Sequence, residues 1–295
     1  MALEEVVIFD SALGLNNVTD RAPKGSLTKA ENVIITPAGE LVSRRGILIK
    51  ESGSFSSLFN FEDYAVVVKK RANDYALFKV DFQGEEVSLH GLRSGLTKPG
   101  MSYAPAKDTL YYTNSVENGV IKRGQSFPWP THEWPAETKT VFEAFPVCDK
   151  VAYLAGRIYG SKGNVLHYSL AHQTGLHRPK QDWVQYKEGI LEIIPAADGL
   201  YVSTEKSVYF LSGFEPEKWQ QRKVLNYPVC CKSSKPIETS FLGLEPSLAL
   251  LGASSKGPVA LLPGGNAVNL VDKQYQVKQK PKTIFITDNS LIIQE

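Results

Sequence analysis

VAYLAGRIYGSKGNVLHYSL, residues 151–170, and DWVQYKEGILEIIPAADGLYVSTEKSVYFL, residues 182–211, hold the pattern that decides the fold. Runs of about five to seven aliphatic, aromatic and β-branched residues are cut by Gly-Arg, Lys-Gly-Asn, Asp-Gly and Glu-Lys, the punctuation of strand, tight turn and strand. Leu200 to Ser203 reads as one strand, Thr204 to Lys206 as a turn, and Ser207 to Leu211 as the return. Asp198-Gly199 is expected to close the preceding turn, because glycine takes positive φ without steric cost. Upstream, Arg157 to Tyr159 and Val165 to Tyr168 flank a turn over residues 160–164. The two hairpins start 42 positions apart, at 157 and 199. Such spacing suggests a repeated four-stranded sheet, as in propeller blades, although the Trp-Asp and kelch signatures are absent.

The same grammar extends in both directions. Residues 31–50 give three short strands, with turns at Pro37-Ala38-Gly39 and Gly46. Four strands fit into residues 55–89, turned at Glu62-Asp63, Asn73-Asp74 and Gln83-Gly84, and three more into residues 101–122. Residues 141–169 and 183–211 read as the fourth and fifth units, residues 220–225 as an outer strand and residues 248–271 as a sixth unit. Strands at 283–287 and 291–294 end the chain, and pairing of a C-terminal strand with the N-terminal meander would close the ring without an open edge. Apolar residues recur at two-residue spacing and Gly or Pro interrupts every few residues, so no long helix is expected. The reading is all-β: an N-terminal arm and loop over residues 1–30, then a single β-propeller of about six antiparallel blades over 31–295, with five or seven as alternatives.

Two excursions break the rhythm. SFPWPTHEWPAET, residues 126–138, contains Pro128, Pro130 and Pro135, which forbid an interior strand or helix and predict a surface loop displaying Trp129 and Trp134. LAHQTGLHRPKQD, residues 170–182, is a polar excursion with His172, His177 and Arg178. These five residues are the candidates for contact with a partner, since binding groups concentrate on loops held by a rigid scaffold. Trp183 and Trp219 adjoin strands and are expected to pack between sheets.

Composition narrows the function classes. With 33 Lys and Arg against 31 Asp and Glu, the formal charge is +2, so no global field favours nucleic acid or an anionic membrane. Arg44-Arg45 and Lys69-Lys70-Arg71 read as solvated strand ends. No apolar run approaches the roughly 18 residues that span a bilayer. Residues 1–15, MALEEVVIFDSALGL, carry acidic residues where a secretory leader would be basic, which predicts synthesis in the cytoplasm. Cys148, Cys230 and Cys231 lack the spacing of a zinc or redox pair and are expected to be free thiols.

Catalytic signatures are weak. His132, His167, His172 and His177 lack a paired ligand spacing and read as surface or loop histidines, so no metal or cofactor is expected. Glycines 156 to 163 do not lead into a helix that could hold phosphate. Leu211-Ser212-Gly213-Phe214 is half of a nucleophile elbow and reads as a turn. Glu85-Glu86, or Asp182 with Glu188, could serve a glycosidase, but solvated turn carboxylates are the simpler reading.

GLNNVTDRAPKGSLTKAENVIITPAGELVSRRGI, residues 14–47, resembles the opening of tailed-bacteriophage virion proteins of the β-propeller type, through Leu27, Ala30, Asn32, Gly39, Leu41, Arg44 or Arg45, and Gly46. Residues 156–170 and 199–219 are similar to the same group's central runs, through Gly156, Arg157, Gly163, Asn164, Ser169, Gly199, Leu200, Val202, Thr204, Tyr209, Leu211 and Gly213. The resemblance implies a non-enzymatic subunit of the tail or neck, of nozzle or hub type, located in the virion. Its expected partners are other virion subunits, namely tail, neck or adaptor proteins, in a homo-oligomeric ring. The alternative is a carbohydrate-binding or carbohydrate-active propeller that recognises host surface glycans.

Overall fold

The computed structural model describes residues 33–35, 41–43, 52–83, 86–130, 141–232, 236–238, 248–270, 283–287 and 290–294. The expected N-terminal arm, the motif residues Leu27, Ala30, Asn32, Gly39, Arg44, Arg45 and Gly46, and His132 and Trp134 lie outside them.

Among the described residues, five antiparallel sheets of four or five strands follow one another along the chain, and the first, second and fourth are simple meanders. The first comprises Phe55–Phe61, Tyr64–Lys70, Tyr75–Gln83 and Glu86–Leu96. The second comprises Ser102–Ala106, Thr109–Thr113, Asn118–Lys122 and Gln125–Phe127. In the third, Lys150–Leu154, Arg157–Lys162 and Val165–Tyr168 are followed by Trp183–Gln185. Ile190–Ala196, Gly199–Thr204, Val208–Ser212 and Gln220–Leu225 make the fourth. In the fifth, one edge of Leu248–Ser254 pairs with Val229–Lys232 and then Ile237–Glu238, and the other leads to Gly257–Leu262 and Asn266–Asn269. The longest helical segments among the described residues are three-residue 3-10 turns.

Three sequence expectations change. Residues 125–127 supply a fourth strand to the second sheet, paired with residues 120–122. Trp183 belongs to the third sheet rather than opening the fourth, because Val165–Tyr168 pairs with it across the excursion. Gly199 does not need positive φ: a Cβ there would lie 2.3 Å from the Leu211 carbonyl oxygen and 2.7 Å from the Phe210 ring, so close packing selects the glycine. By contrast Gly156 and Gly163 do sit in left-handed turns, at φ 81° and 60°.

Successive sheets pack face to face, with their first strands adjoining: Ser102–Ala106 lies beside Phe55–Phe61 and Lys150–Leu154, and Ile190–Ala196 beside Lys150–Leu154 and Val229–Lys232. Alternation then sends neighbouring residues of one strand into two different cores. Leu200 and Val202 join Tyr159, Leu166 and Ile193 between the third and fourth sheets, whereas Tyr201 joins Phe210, Val229 and Val259 between the fourth and fifth. Gly199–Thr204 is therefore buried along its whole length. The first sheet does the same: Val66, Val68 and Leu77 face the second sheet, and Ala65, Val67 and Val80 face away from it. Val33–Ile35 pairs with Leu41–Ser43, and Thr283–Thr287 with Ser290–Gln294.

Candidate functional site

The described part of the Pro-rich segment, residues 126–130, turns inward rather than outward. Trp129 is 8% exposed, its ring stacked 5.9 Å from Phe145 and edge-on to Tyr111 at 5.1 Å. Its Nε1 donates to the Thr174 carbonyl at 3.3 Å, and the Tyr111 and Thr174 hydroxyls are bonded at 2.8 Å. Pro128 and Pro130 end the strand Gln125–Phe127, and the indole then fills the gap between the second and third sheets. The expectation of a displayed Trp129 is corrected: the ring is a core anchor.

The second excursion folds onto the same place. Leu176–His177 pairs with Glu143–Ala144 as a two-stranded strap over the sheet junction. His177 is 4% exposed, with its ring 5.9 Å from Phe145 and 5.9 Å from His167. His167 and His177 are thus not surface histidines, as their lack of spacing suggested, but a facing pair within an aromatic chain that reaches Trp129. The Nδ1 atoms of both are buried without a hydrogen-bond partner. Burial lowers the pKa of His167 to about 4, helped by His177 and Lys162, and burial also lowers that of His177.

Arg178 is committed internally. Its backbone N–H donates to Asp182 Oδ2 at 2.7 Å, and Nε and Nη2 donate to Oδ1 at 2.9 and 2.6 Å. Glu217 takes a further bond from Nη2 at 3.2 Å. Asp182 is fully buried, not the solvated turn carboxylate its position suggested. Here the sequence could not reveal that an i, i+4 pair closes the loop rather than facing a ligand. His172 alone among the four described candidates is exposed; it sits at φ 60° with its N–H bonded to the Gly156 carbonyl at 2.7 Å.

The thiols fit the expectation of free cysteines at Cys148 and Cys230. Burial pushes the Cys148 thiol up to about 12, and it lies under Gly160, where a Cβ would approach Sγ to 2.5 Å. Such a thiol is packing, not a nucleophile.

Sequence reading missed a cleft of about 280 Å³ at the outer junction of the first two sheets, lined by Leu92, Arg93, Tyr112, Asn118, Phe127 and Trp129 among others. Arg93 Nη1 donates to the Asn118 carbonyl at 2.7 Å and to the Tyr112 hydroxyl at 3.1 Å, and the guanidinium lies 5.9 Å over the Tyr112 ring. Phe127 stands 45% exposed at its edge, and Trp183 is 42% exposed on the outermost strand of the next sheet. Trp219 packs as expected, with its ring 5.6 Å from Tyr159 and 5.7 Å from Tyr168. The cleft arginine is legible only once the sheets are stacked, because residues 93 and 118 belong to different meanders.

No protein family and no curated protein matches the sequence. Among solved structures, the chain is similar to apo AztD from Citrobacter koseri, at 15% identity over 76% of this chain and 60% of that one, TM-score 0.40. It is also similar to BBS1N in complex with ARL6DN, at 11% identity over 79% and 84% of the two chains, TM-score 0.44. A third is PorZ, a surface component of the type-IX secretion system of Porphyromonas gingivalis, at 8% identity over 88% and 48%, TM-score 0.40. The chain thus spans under two thirds of AztD and about half of PorZ.

Proposed function

We propose that the chain is a closed β-propeller of about six blades that serves as a ring-forming structural subunit in the tail or neck of a tailed-phage virion. Five described sheets stack in sequence with their first strands adjoining. The two-stranded ladders at residues 33–43 and 283–294 together hold the four strands of one more. Thr283–Thr287 lies against Val229–Lys232 and Leu248–Ser254, while the first sheet turns an apolar face of Ala65, Val67 and Val80 away from the second. A sixth blade drawn from both termini would cover both faces and leave no open edge. Five or seven blades are the alternatives.

The observation that carries the virion reading is the role of the residues in the central resemblance. Arg157 Nη1 donates to the Ser169 carbonyl at 2.8 Å, and Ser169 Oγ accepts the Ile158 N–H at 2.9 Å. Asn164 Nδ2 donates to the Tyr186 carbonyl at 2.8 Å, tying the third sheet to the segment that enters the fourth. The residues of the resemblance therefore hold the third sheet together and tie it to the segment that leads to the fourth, which supports a scaffold of the kind the resemblance implies. A rigid stack of this kind repeats readily in symmetric rings. Subunit contact falls to exposed rim groups such as His172, Phe127 and Trp183; Trp134 retains its proposed contact role.

Negative-stain electron microscopy of the purified chain, with mass spectrometry of purified particles, tests the proposal. Rings in the images and the chain in the particles are expected. A monomer at every concentration, absent from particles, would overturn it. A glycan-array signal from such a monomer would move the reading to host-glycan recognition.

A further inference from the structure

The facing imidazoles of His167 and His177 join the strap, residues 143–144 and 176–177, to the third sheet. Their rings are perpendicular, 88° at 5.9 Å, and each holds a buried Nδ1 that bonds to nothing. A neutral imidazole with one unbonded acceptor nitrogen is tolerable inside an aromatic cluster; an imidazolium with an unbonded N–H donor is not. Two charges on such neighbours would also repel.

We propose that the pair is an acid-sensitive latch: protonation of either imidazole frees the strap from the sheet junction and uncovers Phe145 and Trp129. The proposal does not rest on the virion reading.

The surrounding groups act differently on the two rings, and burial dominates at both. On the hairpin of His167 the nearby charge is Lys162, which opposes protonation. On the strap, Glu143 and the backbone at residues 143 and 144 favour a charged His177, as does Asp182, but burial outweighs them. Asp182 is already held by Arg178 and can offer no further full charge. From the segment beneath, Cys148 stays neutral. The open strap binds protons near the ordinary value of 6.5, whereas closed His167 binds near 4. The closed form is therefore fully favoured above 6.5, and loses ground as pH falls from there through about 4. If opening takes up one proton, its equilibrium constant rises about tenfold per pH unit in that window.

Hydrogen–deuterium exchange on the full chain, corrected for the intrinsic pH dependence of exchange, reads this directly. Residues 141–149 and 170–178 should lose protection on acidification while Gly199–Thr204 keeps its own. His167→Asn together with His177→Gln should abolish the transition, and His172→Gln, at an exposed residue outside the facing pair, should leave it unchanged. Protection of the strap that is flat down to about pH 4, or a transition that survives in the double variant, would overturn the proposal. Should the double variant not fold, imidazole NMR titration of the unaltered protein decides: both histidines titrating at the ordinary 6.5 would refute the latch.

Discussion

Asp182 shows how much one buried carboxylate can organise. It accepts three bonds from Arg178, one through the backbone and two through the guanidinium, and so fixes the return of residues 178–182 into the third sheet. Asp182→Asn would remove the charge and leave a guanidinium that is only 29% exposed without its main partner. Hydrogen bonds to charged groups and the loss of one partner of an ion pair each cost more than neutral bonds, so a loss of about 2–3 kcal/mol is expected. Urea unfolding would measure it, and a change below about 0.5 kcal/mol would contradict the account. A stabilising change is available nearby: exposed Ala155 is held at φ 48° beside Gly156 at φ 81°, the geometry of a tight hairpin turn that asparagine fills at lower cost. Ala155→Asn should raise the urea midpoint by the equivalent of about 0.5–1 kcal/mol.

Between elements, short polar side chains complement the apolar cores. Ser102 Oγ accepts the Val151 N–H at 3.0 Å, joining the first strands of the second and third sheets, and Ser203 Oγ accepts the Val229 N–H at 2.8 Å between the fourth and fifth. Ser102→Ala would strand a buried backbone donor, at a cost of about 1–3 kcal/mol. Gly199→Ala should cost a similar ~1–3 kcal/mol through overpacking against the Leu211 carbonyl and the Phe210 ring. Both are read as shifts in thermal midpoint; a neutral result would deny the inter-sheet bond at Ser102 or, at Gly199, the tight packing within the fourth sheet. Strand existence was legible because turn residues such as Lys107-Asp108 and Asn164 punctuate runs of strand formers. The partner of each edge was not: nothing local tells Trp183 that His167 lies opposite, across an excursion of 13 residues. Likewise Pro128 and Pro130 announce the end of a strand but not which way Trp129 turns, since its burial depends on Phe145 and Tyr111 from separate elements.

At the scale of the molecule, the cores between sheets are rich in tyrosine, and this sets the behaviour at high pH. Tyr159 and Tyr168 lie between the third and fourth sheets, and burial raises both phenols to about 12. Burial also raises Tyr103 between the first and second sheets, Tyr111 between the second and third, Tyr186 beside Tyr159, and Tyr201 between the fourth and fifth. In the unfolded chain each phenol ionises near 10. Above that value the unfolded state binds fewer protons than the folded one, so stability is intact below about 10 and declines as pH climbs through the folded values. Because these phenols lie in consecutive junctions, loss of one core exposes the next, and the sheets should fail together. Phenolate absorbance should therefore rise in one cooperative step that coincides with loss of the β-sheet circular dichroism signal. Gradual ionisation of all 13 tyrosines near 10, with the dichroism unchanged, would mean that the inter-sheet junctions admit water and that the stack is not a continuous packed body.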